Sequence, residues 1–175
     1  MYKVVIIDDE KIIRDGLRKI VPWQSLGCEI VAEASNGIYG IELIRKVQPD
    51  IILTDIRMPG VDGLTMLEET LDVAGNAKVI IITGYRDFDY AQKAIRLGAF
   101  DFLVKPTDID RLISSIKAIV KELDKIADKS NYLNEDIISE YNKSSKLVNI
   151  NIVLSKLTDS VCMGNMEESS VCYDE

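Results

Sequence analysis

The chain has 175 residues, with 21 Lys plus Arg against 29 Asp plus Glu, a net charge of −8 and no His. The absence of His excludes Ser-His-Asp and Cys-His catalysis, His-ligated zinc and imidazole acid–base chemistry, while the acidic balance argues against a general nucleic-acid surface, which needs Lys and Arg against phosphates. Cys28, Cys162 and Cys172 form no disulfide framework or zinc ribbon, and with no signal-peptide pattern and no apolar run of about 18 residues the expectation is a cytoplasmic protein without a membrane span.

Val4–Ile7 is a short, fully apolar, β-branched run, the pattern of a strand buried on both faces. Ile13, Leu17 and Ile20 follow at helical spacing. Glu29–Ala34 reads as a second strand. Asn36-Gly37 follows that strand as punctuation, and Ile38, Ile41, Ile44 and Val47 then recur on one helical stripe. Pro49-Asp50 precedes a third strand, Ile51–Thr54, and Leu64, Leu67 and Leu71 mark the next helix. Val79–Thr83 is a fourth strand, followed by a stripe of Tyr90, Ala94 and Leu97 and by Gly98 as an αL cap. Phe102–Val104 is a fifth strand, and Thr107 with Asp110 resembles a capping box before the last helix. The alternation predicts an α/β, doubly wound, five-stranded parallel sheet in the flavodoxin-like order 2-1-3-4-5, with a C-terminal helical and disordered tail.

Composition changes near Asp128. Residues 1–126 read as the domain, 127–163 as a helical linker or signalling helix, and 164–175 as a disordered acidic tail. Leu112, Ile116, Ile119, Leu123, Ile126, Leu133 and Ile137 trace a heptad-like pattern, and Leu147, Ile150, Leu154, Leu157 and Val161 repeat the spacing in a new frame. Two readings stay open: a helix packing on its own domain, or one pairing with another chain.

In open α/β sheets, ligands bind at the carboxyl ends of the strands. Asp8 and Asp9 follow the first strand, Asp55 the third, and Lys105-Pro106 the fifth, while Thr83 ends the fourth. Each alone has an ordinary explanation: a cap, a turn, a solvated lysine. Together they bring carboxylates, a hydroxyl and an ammonium to one edge. Carboxylates so close need a cation, and oxygen ligands without His or Cys select Mg²⁺, or Mn²⁺. Lys105 offers a compact charge for a phosphate oxygen and Thr83 a hydroxyl. Asp55 is then the carboxylate placed to carry a phosphoryl group.

Four motifs, VVIIDDE (Val4–Glu10), DIILTDIRMPGVDG (Asp50–Gly63), IIITGY (Ile80–Tyr85) and GAFDFLVKP (Gly98–Pro106), resemble the receiver domain of two-component response regulators. The resemblance implies Asp55 as phosphoacceptor, Asp9, Asp55 and the Arg57 backbone carbonyl as Mg²⁺ ligands, and Asp8 acting through metal-bound water. It implies Thr83 and Lys105 holding the phosphoryl group, and a cis bond before Pro106. Phe102 stands at the place of the switch aromatic, where a plain core Phe is the alternative. Arg57 and Tyr85 stand where dephosphorylation is tuned. The phosphodonor would be a phosphohistidine on a sensor histidine kinase, which accounts for a chain without His. Phosphorylation would alter the surface of the fourth helix, fifth strand and last helix, and a homodimer would use that face or the C-terminal helix. A dedicated enzyme is not expected. Pro22-Trp23 with Leu26-Gly27, and GYRDFDYA (Gly84–Ala91), resemble the YesN-like subfamily with its AraC-type, DNA-binding output. No helix-turn-helix pattern is recognised in Asp128–Glu175, so this chain by itself is expected not to bind nucleic acid.

Three other readings compete. A haloacid-dehalogenase-type phosphatase wants an acid two residues after its nucleophile, where Arg57 stands. A flavodoxin-like binder wants a phosphate-cradling loop where Asp8-Asp9-Glu10 stands. A phosphorylation-independent interaction module, or a transcription factor lacking its DNA-binding part, remains the alternative.

Overall fold

The computed structural model describes residues 1–74, 76–84 and 88–128. Tyr85, and with it the rate-tuning role read for that position, lies outside the described residues. So do residues 129–175, which hold Cys162, Cys172, the second run of apolar spacing and nearly all of the expected linker and tail.

Met1–Asp124 form one compact unit. Its elements alternate: β1 (Tyr2–Ile7), α1 (Lys11–Ile20), a 3₁₀ turn (Trp23–Leu26), β2 (Cys28–Ala34), α2 (Gly37–Val47), β3 (Ile51–Thr54), α3 (Gly63–Ala74), β4 (Lys78–Thr83), α4 (Phe88–Arg96) and β5 (Asp101–Val104). Residues 109–128 are helical and are called α5 here. The strands form one parallel sheet in the order β2-β1-β3-β4-β5, as expected from the sequence.

Period-two alternation divides the core. Val4, Ile6, Ile51, Leu53, Ile80, Ile82 and Leu103 face one side, where they pack with Leu17 of α1, Trp23 and Leu26, and Leu112, Ile116 and Ile119 of α5. Val5, Ile7, Ile52, Val79 and Ile81 face the other, against Ile44 of α2, Leu64, Met66 and Leu67 of α3, and Ala94 of α4. Strands covered on both sides read as continuous apolar runs for this reason. The first part of the heptad-like pattern is thus core of this domain, at Leu112, Ile116 and Ile119, while Ile126 is exposed.

Most of the expected helical stripe residues pack on the core, among them Leu17, Ile41, Ile44, Val47, Leu64 and Leu67, but one residue in each of the α1, α2 and α3 stripes does not. Ile20, Ile38 and Leu71 are exposed. In α2 the fully buried residues are Gly37, Gly40 and Ile44, and in α3 they include Met66 and Thr70. A side chain at Gly40 would collide with the Met66 sulfur, so a close approach of α2 to α3 rests on a residue that no hydrophobicity pattern registers. The last helix is capped differently from the expected Thr107–Asp110 box. Asp108 Oδ1 accepts from the Asp110 and Arg111 N–H groups at 3.0 and 3.2 Å, making Asp108 the cap. Its short carboxylate reaches both amides and carries charge against the helix's positive end.

The Pro22-Trp23…Leu26-Gly27 motif has a structural role. Trp23 is buried, and its indole N–H donates to the Leu17 carbonyl at 3.1 Å, closing the end of α1. Gly27 adopts φ 72°, turning the chain into β2 at a conformation that disfavours side chains.

Candidate functional site: an acidic cluster and a lysine at the strand ends

The order of the sheet makes β1, β3, β4 and β5 consecutive, so their carboxyl ends meet along one edge. Asp55 leaves the central strand β3 with its N–H donating to the Ile7 carbonyl of β1 at 2.9 Å. Lys105 leaves β5 with its N–H donating to the Thr83 carbonyl of β4 at 2.8 Å. The Lys105–Pro106 peptide bond is cis.

The loop after β3 fixes the Asp55 backbone from several directions. Thr54 Oγ1 donates to the Asp55 carbonyl at 2.9 Å. The Gly63 N–H donates to the Ile56 carbonyl at 2.7 Å. A Cβ on Gly63 would lie 2.0 Å from the Asp55 carbonyl oxygen, so only glycine permits α3 to start this close. Asp62 caps that helix, accepting from the Thr65 N–H at 2.7 Å. Gly60 turns the loop at φ 83°. This accounts for much of the RMPGVDG run in terms of backbone. Gly63 acts on the site through its missing side chain, which sequence spacing did not reveal.

Asp8 and Asp55 are buried and Asp9 is exposed, and one carboxylate oxygen from each lies within 4.8 Å of the others. Asp55 Oδ1 accepts from the Ile56 and Arg57 N–H groups at 2.5 and 3.3 Å. Asp55 Oδ2 and Asp8 Oδ2 each lie 2.8 Å from the Lys105 ammonium. A third acid, Glu10, places Oε1 3.0 Å from the same nitrogen. Glu10 lies in the VVIIDDE motif, where the residues alone assign it no role. Its signal was an additional acid directly after the metal-type pair.

Burial pushes the Asp8 carboxyl above the ordinary carboxylate range, and the neighbouring Asp55 charge adds to this, although Lys105 and the Glu10 N–H pull it down. Burial alone would lower Lys105. Its hydrogen bonds to Asp55, Asp8 and Glu10 outweigh that and raise it above the usual lysine value, so it stays an ammonium at every working pH.

The other expected residues are placed less centrally. Thr83 is fully buried at the end of β4. Phe102 is half-buried and packs on the same side as Ala94, Tyr90 and Leu97 of the α4 region. Arg57 is exposed, and its guanidinium lies 5.5 Å from the Tyr90 ring centroid, a cation–π contact joining the loop after Asp55 to α4.

The receiver-domain model of response regulators matches residues 4–117 of the chain. The chain belongs to the response regulator receiver family. The receiver is 39% identical over 123 residues to the transcriptional regulatory protein YesN of Bacillus subtilis, an alignment covering 70% of this chain and 33% of YesN. It is 38% identical over 123 residues to the transcriptional regulatory protein HptR of Staphylococcus aureus, covering 70% and 48%. The chain therefore matches from a third to about half the length of these relatives. Among solved structures, the receiver domain of AraT, a response regulator from Geobacillus stearothermophilus, superposes with a TM-score of 0.68 at 40% identity, covering 72% of this chain and 98% of that one. A two-component transcriptional regulator AraC from Clostridium phytofermentans gives 0.64 at 29% identity, covering 74% and 99%. The fold of the receiver and its kinship to YesN-like regulators agree with the sequence-based expectation. No helix among the described residues is long and apolar enough to cross a membrane.

Proposed function

We propose that this receiver accepts a phosphoryl group on Asp55 from the phosphohistidine of a sensor histidine kinase and passes the change to a transcriptional output. The observation that carries the reading is the Asp55 carboxylate, buried between an acidic pair and an ammonium 2.8 Å away. In the transfer, an Asp55 carboxylate oxygen forms a bond to phosphorus as the bond from phosphorus to the donor breaks. The electron pair leaves with the donor group. Lys105 stays charged and is placed to neutralise a phosphoryl oxygen, and the Thr83 hydroxyl donates to another. The Ile56 and Arg57 N–H groups hold Oδ1 and orient the carboxylate.

The donor set suits a hard divalent cation: three carboxylates with converging oxygens and no softer ligand. Asp9, Asp55 and the Arg57 carbonyl would hold Mg²⁺, with Asp8 acting through water. When bound, the ion supplies charge neutralisation for the carboxylates and the phosphoryl oxygens. Mn²⁺ fits the same donors.

A phosphoryl group that draws the Thr83 hydroxyl inward vacates space beside Phe102, which turns into it and alters the face of α4, β5 and α5. Arg57, stacked on Tyr90, tunes the lifetime of the phosphoryl group. Response regulators are signal transducers rather than dedicated enzymes, and no turnover beyond self-dephosphorylation is assigned here.

The test is incubation of the chain with MgCl₂ and acetyl phosphate, followed by intact-mass measurement. Wild type is expected to gain one phosphoryl group and Asp55→Asn none. No gain in wild type, or an equal gain in the variant, overturns the reading.

A further inference from the structure

Lys105 is held by a carboxylate that the phosphoryl chemistry does not require. An ammonium has three N–H donors. Two are directed to Asp8 and Asp55, each 2.8 Å away, and Glu10 takes a third position at 3.0 Å. Glu10 is the N-cap residue of α1, yet its side chain accepts no capping hydrogen bond. A Ser, Thr, Asp or Asn there would satisfy a helix N–H. Glu10 instead reaches across the sheet edge to the end of β5. Its side chain is 54% exposed, whereas those of Asp8 and Asp55 are 4% and 7% exposed, so Glu10 approaches Lys105 from the solvent side.

We propose that Glu10 is a positioning residue that competes with the incoming phosphoryl group for Lys105 and thereby slows the loading of Asp55. This rests on the aspartyl-phosphate reading above. The phosphoryl oxygens stay negative throughout the transfer, and Lys105 can meet one only by releasing a carboxylate. Asp55 is the acceptor and Asp8 belongs to the acidic cluster beside it. Glu10 is the partner whose displacement disturbs neither. An ion pair this exposed is weak enough to be exchanged. Its charge at the mouth also repels a dianionic donor.

The experiment compares wild type with Glu10→Gln in the full chain, with MgCl₂ in excess and acetyl phosphate limiting, following phosphoryl gain by intact mass. With acetyl phosphate the new bond joins an Asp55 oxygen to phosphorus, and acetate departs with the electron pair. Glu10→Gln keeps length and polarity and removes the charge. It is expected to load about three- to five-fold faster, the scale of an exposed charge pair. The gap is expected to narrow near 1 M NaCl, where the Debye length is about 3 Å. The Glu10 side chain caps nothing, so the unfolding midpoint is expected to fall by no more than the small contribution of one exposed ion pair. Loading of Glu10→Gln at the wild-type rate or slower, or an acceleration unchanged by salt, overturns the role of Glu10 while leaving the Asp55 reading intact. A wild type that gains no phosphoryl group instead overturns the Asp55 reading and this inference with it.

Discussion

Gly63→Ala tests whether the backbone around Asp55 is as tightly constrained as its contacts indicate. The added Cβ would lie 2.0 Å from the Asp55 carbonyl oxygen, 3.0 Å from its carbon and 3.1 Å from Thr54 Oγ1. Real Cβ atoms essentially never approach within 3.0 Å, so the two backbones must part by at least about 1 Å. Neither side yields easily. Asp55 is tied to β1 through its N–H and to Thr54 through its carbonyl, while Gly63 donates at 2.7 Å to Ile56. Overpacking costs about 1–3 kcal/mol and a strained or lost backbone hydrogen bond about 1 more. The lower entropy of an unfolded Ala returns about 0.5–1 kcal/mol. The expected net destabilisation is about 1–3.5 kcal/mol.

The assay is urea unfolding followed by the fluorescence of Trp23, the chain's single Trp and a buried one. Gly16→Ala is the control. A Cβ there meets nothing within 4 Å, and the position lies inside α1. That variant is expected to gain about 0.5–1 kcal/mol from helix propensity. Gly63→Ala should also load phosphate more slowly, because a shift of this size moves Asp55 relative to Lys105. A Gly63→Ala protein within 0.5 kcal/mol of wild type would refute the packing argument.

Asp8→Asn is expected to stabilise the metal-free protein at pH 7. Burial raises the folded-state value of Asp8, so the folded state binds a proton more readily than the unfolded state. The group's contribution to stability therefore falls as pH rises from its ordinary value of 3.8 through the raised folded value, and the Asn variant escapes that loss. Thermal midpoints in EDTA at pH 7 and at pH 4 check this, with the gap between variant and wild type shrinking at the lower pH. Cys28 is fully buried, its thiol pushed up by burial and by the Asp50 charge, and its Sγ lies 3.6 Å from the Leu26 carbonyl. In a Cys162→Ser, Cys172→Ser background, iodoacetamide at pH 8 should label it no faster than the protein unfolds, and rapid labelling would contradict its burial.

The sequence was most legible where one side chain performs one role at a strand end. Asp8, Asp55 and Lys105 could be placed together because each follows an apolar run, and topology then made those runs neighbours. Helix faces were less legible. Counting apolar residues drew in Ile38 and Leu71 and passed over Gly40 and Thr70, because close approach in these helices is set by small side chains rather than by hydrophobic ones. Glu10 was passed over for a related reason. A glutamate at a helix start looks like ordinary solvated charge, and nothing local indicates that it bonds to a lysine 95 positions away. The cap at Asp108 was misread because Thr107 offered a familiar pattern one residue too early.

The two cationic and anionic halves of the site are held differently, and this bears on how a phosphoryl group could be sensed. Asp55 leaves the central strand, and its backbone is locked by Ile7, Thr54 and Gly63. Lys105 leaves the edge strand β5, and its ammonium is held through side-chain carboxylates. Under the proposed function, charge added at Asp55 redistributes the partners of Lys105 more readily than it moves Asp55. That strain falls on the β4–β5 pair, where Lys105 is bonded to Thr83 and Ile81 pairs with Phe102. Phe102 is only half-buried and so has fewer packing contacts to lose than the sealed residues of β3. A rigid acceptor beside a responsive edge directs the change toward β5 and its flanking helices, which is the asymmetry a two-state signal requires.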